Sequence, residues 1–173
     1  MDEGLPTRPL TWSPPVTFLP KPLLEPQRPL RAVLIAWLTA FVPSIALGTA
    51  VTQLFPELGQ PQLPLADPVA AVLVVIVAPL LETLIMAGFL ALLLWLLPPT
   101  AAVLVSALGW GVAHSLAAPA WGLVIWWPFL VFSVLYVTWR KRSLLLALAI
   151  PAATHALQNL LPTLAMLAAA EAP

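Results

Sequence analysis

Five long apolar runs, separated by short polar or proline-containing breaks, dominate the chain. They cover about residues 32–54, 68–97, 101–118, 121–139 and 143–168. A helix needs about 20 apolar residues to cross the hydrocarbon core of a bilayer, and each run approaches or exceeds that length. No run alternates between apolar and polar residues as a strand of a membrane β-barrel would. The pattern predicts an all-α, polytopic membrane helix bundle with about five transmembrane helices.

The second run, residues 68–97, is too long for one straight span. We expect it to be tilted, to project beyond the membrane, or to be kinked near Pro79, because proline removes a hydrogen bond from a helix interior.

The first 30 residues differ from the rest because they contain eight prolines. Such a segment favours extended polyproline-II conformation over regular helix. We therefore divide the chain into a Pro-rich cytoplasmic N-terminal arm, residues 1–30, and a transmembrane helical domain, residues 31–173. Two interpretations of the arm stay open. It is either a flexible tail, or it docks on another subunit of a larger membrane complex through Trp12 and Phe18.

Composition supports the membrane assignment and excludes several functions. Hydrophobic residues make up 61% of the chain and charged residues 8%, whereas a soluble domain carries about 25% charged residues. The lipid bilayer is therefore the expected surrounding. A formal net charge of zero argues against a nucleic-acid partner. The chain has no cysteine, which excludes thiol catalysis and cysteine-based metal sites.

The basic residues predict the orientation of the bundle. With five spans, all seven fall on the side of the N-terminus: Arg8, Lys21, Arg28, Arg31, Arg140, Lys141 and Arg142. Because lysine and arginine accumulate in cytoplasmic loops, we expect the N-terminus to lie in the cytoplasm.

Only three ionisable side chains lie inside the five runs, namely Glu82, His114 and His155. Charged groups at membrane depth are costly, and they usually face the bundle interior and serve a function. From the cytoplasmic ends, the helical rise places these three residues and Asn159 at depths of about 18–24 Å. His155 and Asn159 share a helix face, as do Trp110 and His114, because each pair is spaced i,i+4. We expect the four polar residues to meet at one level.

These residues resemble the motifs of the CPBP intramembrane proteases, a family that includes CAAX endopeptidases and bacteriocin-processing or immunity-type (Abi) proteins. The family pattern is Glu-Glu-x-x-x-Arg, then an aromatic-x-x-x-His motif, then His-x-x-x-Asn or Asp. The corresponding segments here are residues 82–87, 110–114 and 155–159. The chain departs from the first motif, because Thr83 replaces the second glutamate and Ala87 replaces the arginine.

The resemblance implies a metal-independent endopeptidase of a prokaryotic plasma membrane, acting on a membrane-associated peptide or protein. It assigns Glu82 and His114 to the activation of water, and His155 and Asn159 to the oxyanion of the tetrahedral intermediate. Asparagine supplies a neutral N–H donor, which suits that role.

Two alternatives stay open. Glu82, His114 and His155 match the His₂Glu ligand set of catalytic zinc sites, although the single-helix zinc motif His-Glu-x-x-His is absent. The four polar residues could also hydrogen-bond to one another and hold the helices together. The protein would then be a catalytically inactive accessory or assembly subunit.

The orientation is tested by cysteine labelling, since the natural chain has no cysteine. We predict that a cysteine at Gln60 reacts with a membrane-impermeant thiol reagent added from outside, whereas one at Ser143 does not. The reverse labelling would refute the five-span topology with a cytoplasmic N-terminus.

Overall fold

The computed structural model describes residues 16–59 and 68–170, which form helices and no strand. Arg8, Trp12 and Gln60 lie outside the described residues. The elements are listed in chain order: α1 Lys21–Leu24, α2 Pro29–Leu54, α3 Pro68–Val72, a π-helical segment Leu73–Val77, α4 Ala78–Leu96, α5 Pro99–Ala117, α6 Pro119–Trp139 and α7 Leu144–Ala170.

Five helices in the described part are long and apolar enough to cross a membrane. They are α2, the continuous stretch formed by α3, the π-helical segment and α4, and then α5, α6 and α7. Each coincides with one of the five apolar runs, so the predicted all-α membrane bundle is confirmed. The expected irregularity of the second run is a π-helical segment that ends just before Pro79.

Proline determines where several helices begin. Pro29, Pro99 and Pro119 are the first residues of α2, α5 and α6, a position where the missing N–H costs nothing because the helix has no acceptor for it. Proline also restricts the residue before it to extended conformation. Leu97 and Ala118, each followed by a proline, are accordingly extended and end α4 and α5. The resulting turns are short, so successive spans run antiparallel.

Helix α6 lies at the centre of the bundle. Every residue from 128 to 139 is buried, and α6 packs against α2, α5 and α7. Helices α5 and α6 approach each other closely at Gly111 and Gly122. A Cβ atom at Gly122 would overlap with the Ser115 side chain and with the Gly111 carbonyl oxygen. The two glycines therefore allow the α5 and α6 backbones to approach each other closely.

The described part of the N-terminal arm packs against the bundle. Val16, Leu19, Leu23 and Leu24 are buried, and α1 contacts α2 and α6. Phe18 stacks on Trp127 of α6, with ring centroids 6.4 Å apart. The apolar side chains of residues 16–24 thus attach this part of the arm to the bundle.

A hydrogen bond links the two groups of basic residues. The Arg142 guanidinium, in the turn between α6 and α7, donates to the Pro26 carbonyl oxygen over 3.2 Å. This places the basic turn 140–142 on the same side of the bundle as Arg28 and Arg31. Glu57 follows the other end of α2.

The close approach of α5 and α6 predicts the effect of one methyl group. Gly122→Ala should lower the free energy of unfolding by about 1–3 kcal/mol, the usual cost of overpacking. Thermal unfolding in detergent measures the change. The control is Gly88→Ala, also in a helix, because a Cβ atom there meets nothing within 4 Å. Equal stability of the two variants would contradict the packing described.

Candidate active site

Glu82 and His155 come together in the interior of the bundle, although they belong to different helices. The His155 Nε2 atom, on α7, lies 3.9 Å from the Glu82 Oε2 atom, on α4. The His155 side chain is 7% exposed and the Glu82 side chain 26%. This separation is longer than a hydrogen bond, so both atoms can still form hydrogen bonds to other groups.

Two aromatic side chains of α6 hold the His155 ring. Phe132 stacks on the imidazole with ring centroids 4.8 Å apart, and Phe129 meets it edge-on at 5.4 Å. Both phenylalanines are almost completely buried. Since α6 is the central helix, its packing fixes the plane of this imidazole.

His114, on α5, contacts the same Phe129 ring, with centroids 5.6 Å apart. The Trp121 ring is nearly perpendicular to the His114 ring, with ring centroids 4.8 Å apart. The His114 Nδ1–H group donates to the Trp110 carbonyl oxygen over 2.9 Å. Because a carbonyl only accepts, Nδ1 carries the proton and Nε2 of the neutral ring is left as a proton acceptor.

Asn159 bonds to the backbone of the second span. Its Nδ2 atom donates to the Val74 carbonyl oxygen over 3.0 Å. In an α-helix that oxygen would accept from Ala78, but in the π-helical segment the Ala78 N–H bonds to the Leu73 oxygen instead. The next residue, Pro79, has no N–H to offer. The Val74 carbonyl receives no hydrogen bond from within the second span, and the Asn159 side chain on α7 provides one.

Several buried polar atoms at the site have no hydrogen-bond partner within the described residues. They include Glu82 Oε2, His155 Nδ1 and Gln158 Oε1. Most buried polar atoms in proteins are paired. These atoms thus provide hydrogen-bonding capacity that the fold itself does not use.

A lateral cleft between α4 and α5 lies beside the site. It has a volume of about 230 Å³ and is lined by apolar side chains and one glycine: Ile85, Phe89, Gly109, Trp110 and Ala113. Ile85 is 62% exposed on the outer face of the bundle. Trp110 forms the inner wall, where it stacks on Phe129 at 4.2 Å. Its carbonyl accepts the His114 hydrogen bond.

Of the four predicted site residues, some are in direct contact in the structure and others are not. Glu82 and His155 are neighbours, and His114 is linked to His155 through Phe129. Asn159 lies one turn beyond His155 but is hydrogen-bonded to the second span. Within the described part, no hydrogen bond joins Asn159 to Glu82 or to either histidine.

The sequence reasoning missed the two phenylalanines of α6 and the Val74 carbonyl. The spacing of Phe129 and Phe132 by three residues places them on one helix face, but most of α6 is apolar and that signal is not distinctive. The altered positions of the first motif are packed into the bundle. Thr83 and Ala87 are buried, 3% and 7% exposed, on the same face as Met86.

No three His, Asp or Glu side chains in residues 16–59 and 68–170 are grouped closely enough to hold a metal ion. Glu82, His114 and His155 are all in this part of the chain. A zinc site would place its ligand atoms about 2.0–2.2 Å from one point, and metal analysis of the purified protein tests that alternative.

Comparison with known proteins identifies one relationship. A family model described as "Type II CAAX prenyl endopeptidase Rce1-like" matches residues 64–161, more than half of the chain. This range includes Glu82, His114, His155 and Asn159. No curated protein and no solved structure matches the chain.

The hydrogen bond of Asn159 leads to a stability prediction. Asn159→Leu preserves volume but leaves the Val74 carbonyl without a donor, so the free energy of unfolding should fall by about 0.5–2 kcal/mol. The control is Gln158→Leu, since Gln158 makes no side-chain hydrogen bond within the described residues. Unfolding of both variants in detergent tests this, and an unchanged Asn159→Leu protein would contradict the role of the bond.

Proposed function

Because the chain belongs to the Rce1-like family of type II CAAX prenyl endopeptidases, we propose that it is an intramembrane peptidase. Its substrate is a membrane-associated peptide or protein. The supporting observation is the pair formed by Glu82 and His155 between α4 and α7. Their separation of 3.9 Å, together with the unpaired Glu82 Oε2 and His155 Nδ1 atoms, leaves hydrogen-bonding capacity for water and a peptide carbonyl.

In the proposed reaction Glu82 is the general base, helped by His114. A water oxygen adds to the carbonyl carbon of the scissile bond while one water proton passes to the Glu82 carboxylate. The His114 tautomer fits an assisting role, since its Nε2 atom is free to accept a hydrogen bond. The tetrahedral intermediate then loses the amine, which takes up the proton, and a new carboxylic acid is formed.

His155 and Asn159 are proposed to stabilise the oxyanion. The stacked phenylalanines hold the His155 ring, so the donor needs little reorganisation as charge develops. The Asn159 amide has two N–H groups, and one bonds to Val74. This bond orients the amide and leaves the second N–H for the substrate oxygen.

The cleft between α4 and α5 suits an apolar part of the substrate. It is lined by Ile85, Phe89 and Trp110 and lies against the outer face of the bundle, where a transmembrane chain or lipid group would arrive. Ile85 follows Glu82 by three residues on α4, so the cleft begins about one helical turn from the carboxylate. We propose that the substrate enters laterally through this cleft.

The accessory-subunit alternative named Trp12, which lies outside the described residues, and Phe18, which stacks on Trp127 and is still 70% exposed. Other apolar side chains of the arm face inward. The side chains of Leu19, Leu23 and Leu24 are buried against the protein's own bundle. They are therefore not available to another subunit in this arrangement.

The decisive variant is Glu82→Gln, which keeps the shape of the side chain and removes its proton-accepting carboxylate. If Glu82 is the general base, cleavage should fall by about 10²–10⁴-fold. Stability should stay level or rise slightly, because a buried ionisable group has become neutral. The assay follows cleavage of a prenylated CAAX peptide and of its unprenylated form by the purified protein in detergent.

The matched control is Glu57→Gln, in the exposed turn after α2, which should leave cleavage unchanged. Full activity of the Glu82→Gln protein would end the catalytic proposal. If Glu82 must instead be ionised to pair a protonated histidine, the variant should lose about 3–5 kcal/mol of stability. That loss, combined with no peptide cleavage by the natural protein, would favour the accessory role.

A further inference from the structure

A surface cavity lined mostly by exposed side chains, three of them cations, lies where the N-terminal segment meets the first membrane span. Its volume is about 230 Å³, and Lys21, Arg28 and Arg31 surround it, with Pro22, Glu25 and Gln27 completing the wall. Three cations and one carboxylate leave two positive charges around a small space. The cavity lies on the side of the bundle that carries all the basic residues in the described part of the chain.

The three cations are not engaged by the protein. Within residues 16–59 and 68–170, none of them forms an ion pair, a side-chain hydrogen bond or a ring contact. The nearby turn behaves differently, because Arg140 lies over the Tyr136 ring and Arg142 donates to the Pro26 carbonyl. Three cations beside one carboxylate leave a net positive charge around the cavity, so an anion bound there would be stabilised.

The cavity is held in place by the fold. On one side, Leu23 and Leu24 anchor α1 in the bundle. On the other, Arg28 and Arg31 flank Pro29, the first residue of a span 26 residues long. The start of a span lies at the level of the lipid headgroups. The cations are therefore at the depth where lipid phosphates occur.

The backbone contributes a weaker attraction in the same direction. Arg28 is the residue just before α2, and its side chain makes no capping hydrogen bond to the first turn of the helix. The unpaired N–H groups at a helix start carry partial positive charge and favour a nearby anion.

We infer that this cavity binds the phosphate of an anionic phospholipid headgroup. Clusters of lysine and arginine next to a span attract acidic lipids. A cavity between α1 and α2 gives that attraction a defined geometry. The site lies on the arm side of α2, apart from Glu82 and His155, so it requires no peptidase activity.

The test is native mass spectrometry of the full chain in detergent with added phosphatidylglycerol or phosphatidylcholine. The natural protein should retain one phosphatidylglycerol in preference to phosphatidylcholine. The double variant Arg28→Gln/Arg31→Gln should bind phosphatidylglycerol about 30-fold more weakly, if each of the two cavity arginines contributes roughly fivefold to the affinity for the bound headgroup. Thermal unfolding in detergent verifies that the variant is folded.

The control variant is Arg140→Gln/Lys141→Gln, which removes the same charge from the same side of the bundle but outside the cavity. It should change phosphatidylglycerol binding less than threefold. Equal losses in the two double variants would overturn the proposal in favour of general surface charge. Equally tight binding of soluble glycerol phosphate would overturn the lipid assignment, because the site would then recognise a free anion. Retention of phosphatidylcholine as strong as that of phosphatidylglycerol would also refute it.

Discussion

The burial of α6 is the constraint on which the other features depend. In a bilayer, helices gain no hydrophobic free energy from association, so close packing must hold them together. Helix α6 meets this requirement with an uninterrupted buried stretch from 128 to 139 and with the close approach at Gly122. Phe129 and Phe132 belong to this stretch. The histidines that contact them therefore take their positions from the best-packed helix in the protein.

The second span differs from the well-packed α6, because its backbone is irregular at membrane depth. A carbonyl without a donor costs several kcal/mol in lipid unless a neighbour satisfies it. Asn159 supplies that donor to Val74 from another helix. Helix α7 carries both Asn159 and His155. The hydrogen bond from Asn159 to the second span therefore also fixes the position of His155 along the membrane normal relative to Glu82. Structural and proposed catalytic roles thus coincide in one side chain.

The sequence predicts the five spans well because bilayer thickness limits their length directly. It also places Glu82 and His155 at similar depth, since helical rise converts residue number into distance. The rotation of each helix about its own axis cannot be read from residue number in the same way. That rotation decides that Phe129 separates His114 from His155, and that Asn159 turns toward Val74. Burial of Leu23 could not be predicted either, because proline content describes local conformation and not tertiary contact.

The π-helical segment Leu73–Val77 has a consequence for comparing this protein with its relatives. It accommodates about one residue more per turn than an α-helix, which advances by about 100° per residue. The positions before the segment are therefore out of phase with those after it. Aligning this span with a regular helix requires a single-residue gap near Val74. Without that gap, each position of α3 would be compared with a position about 100° away around the helix axis of the relative.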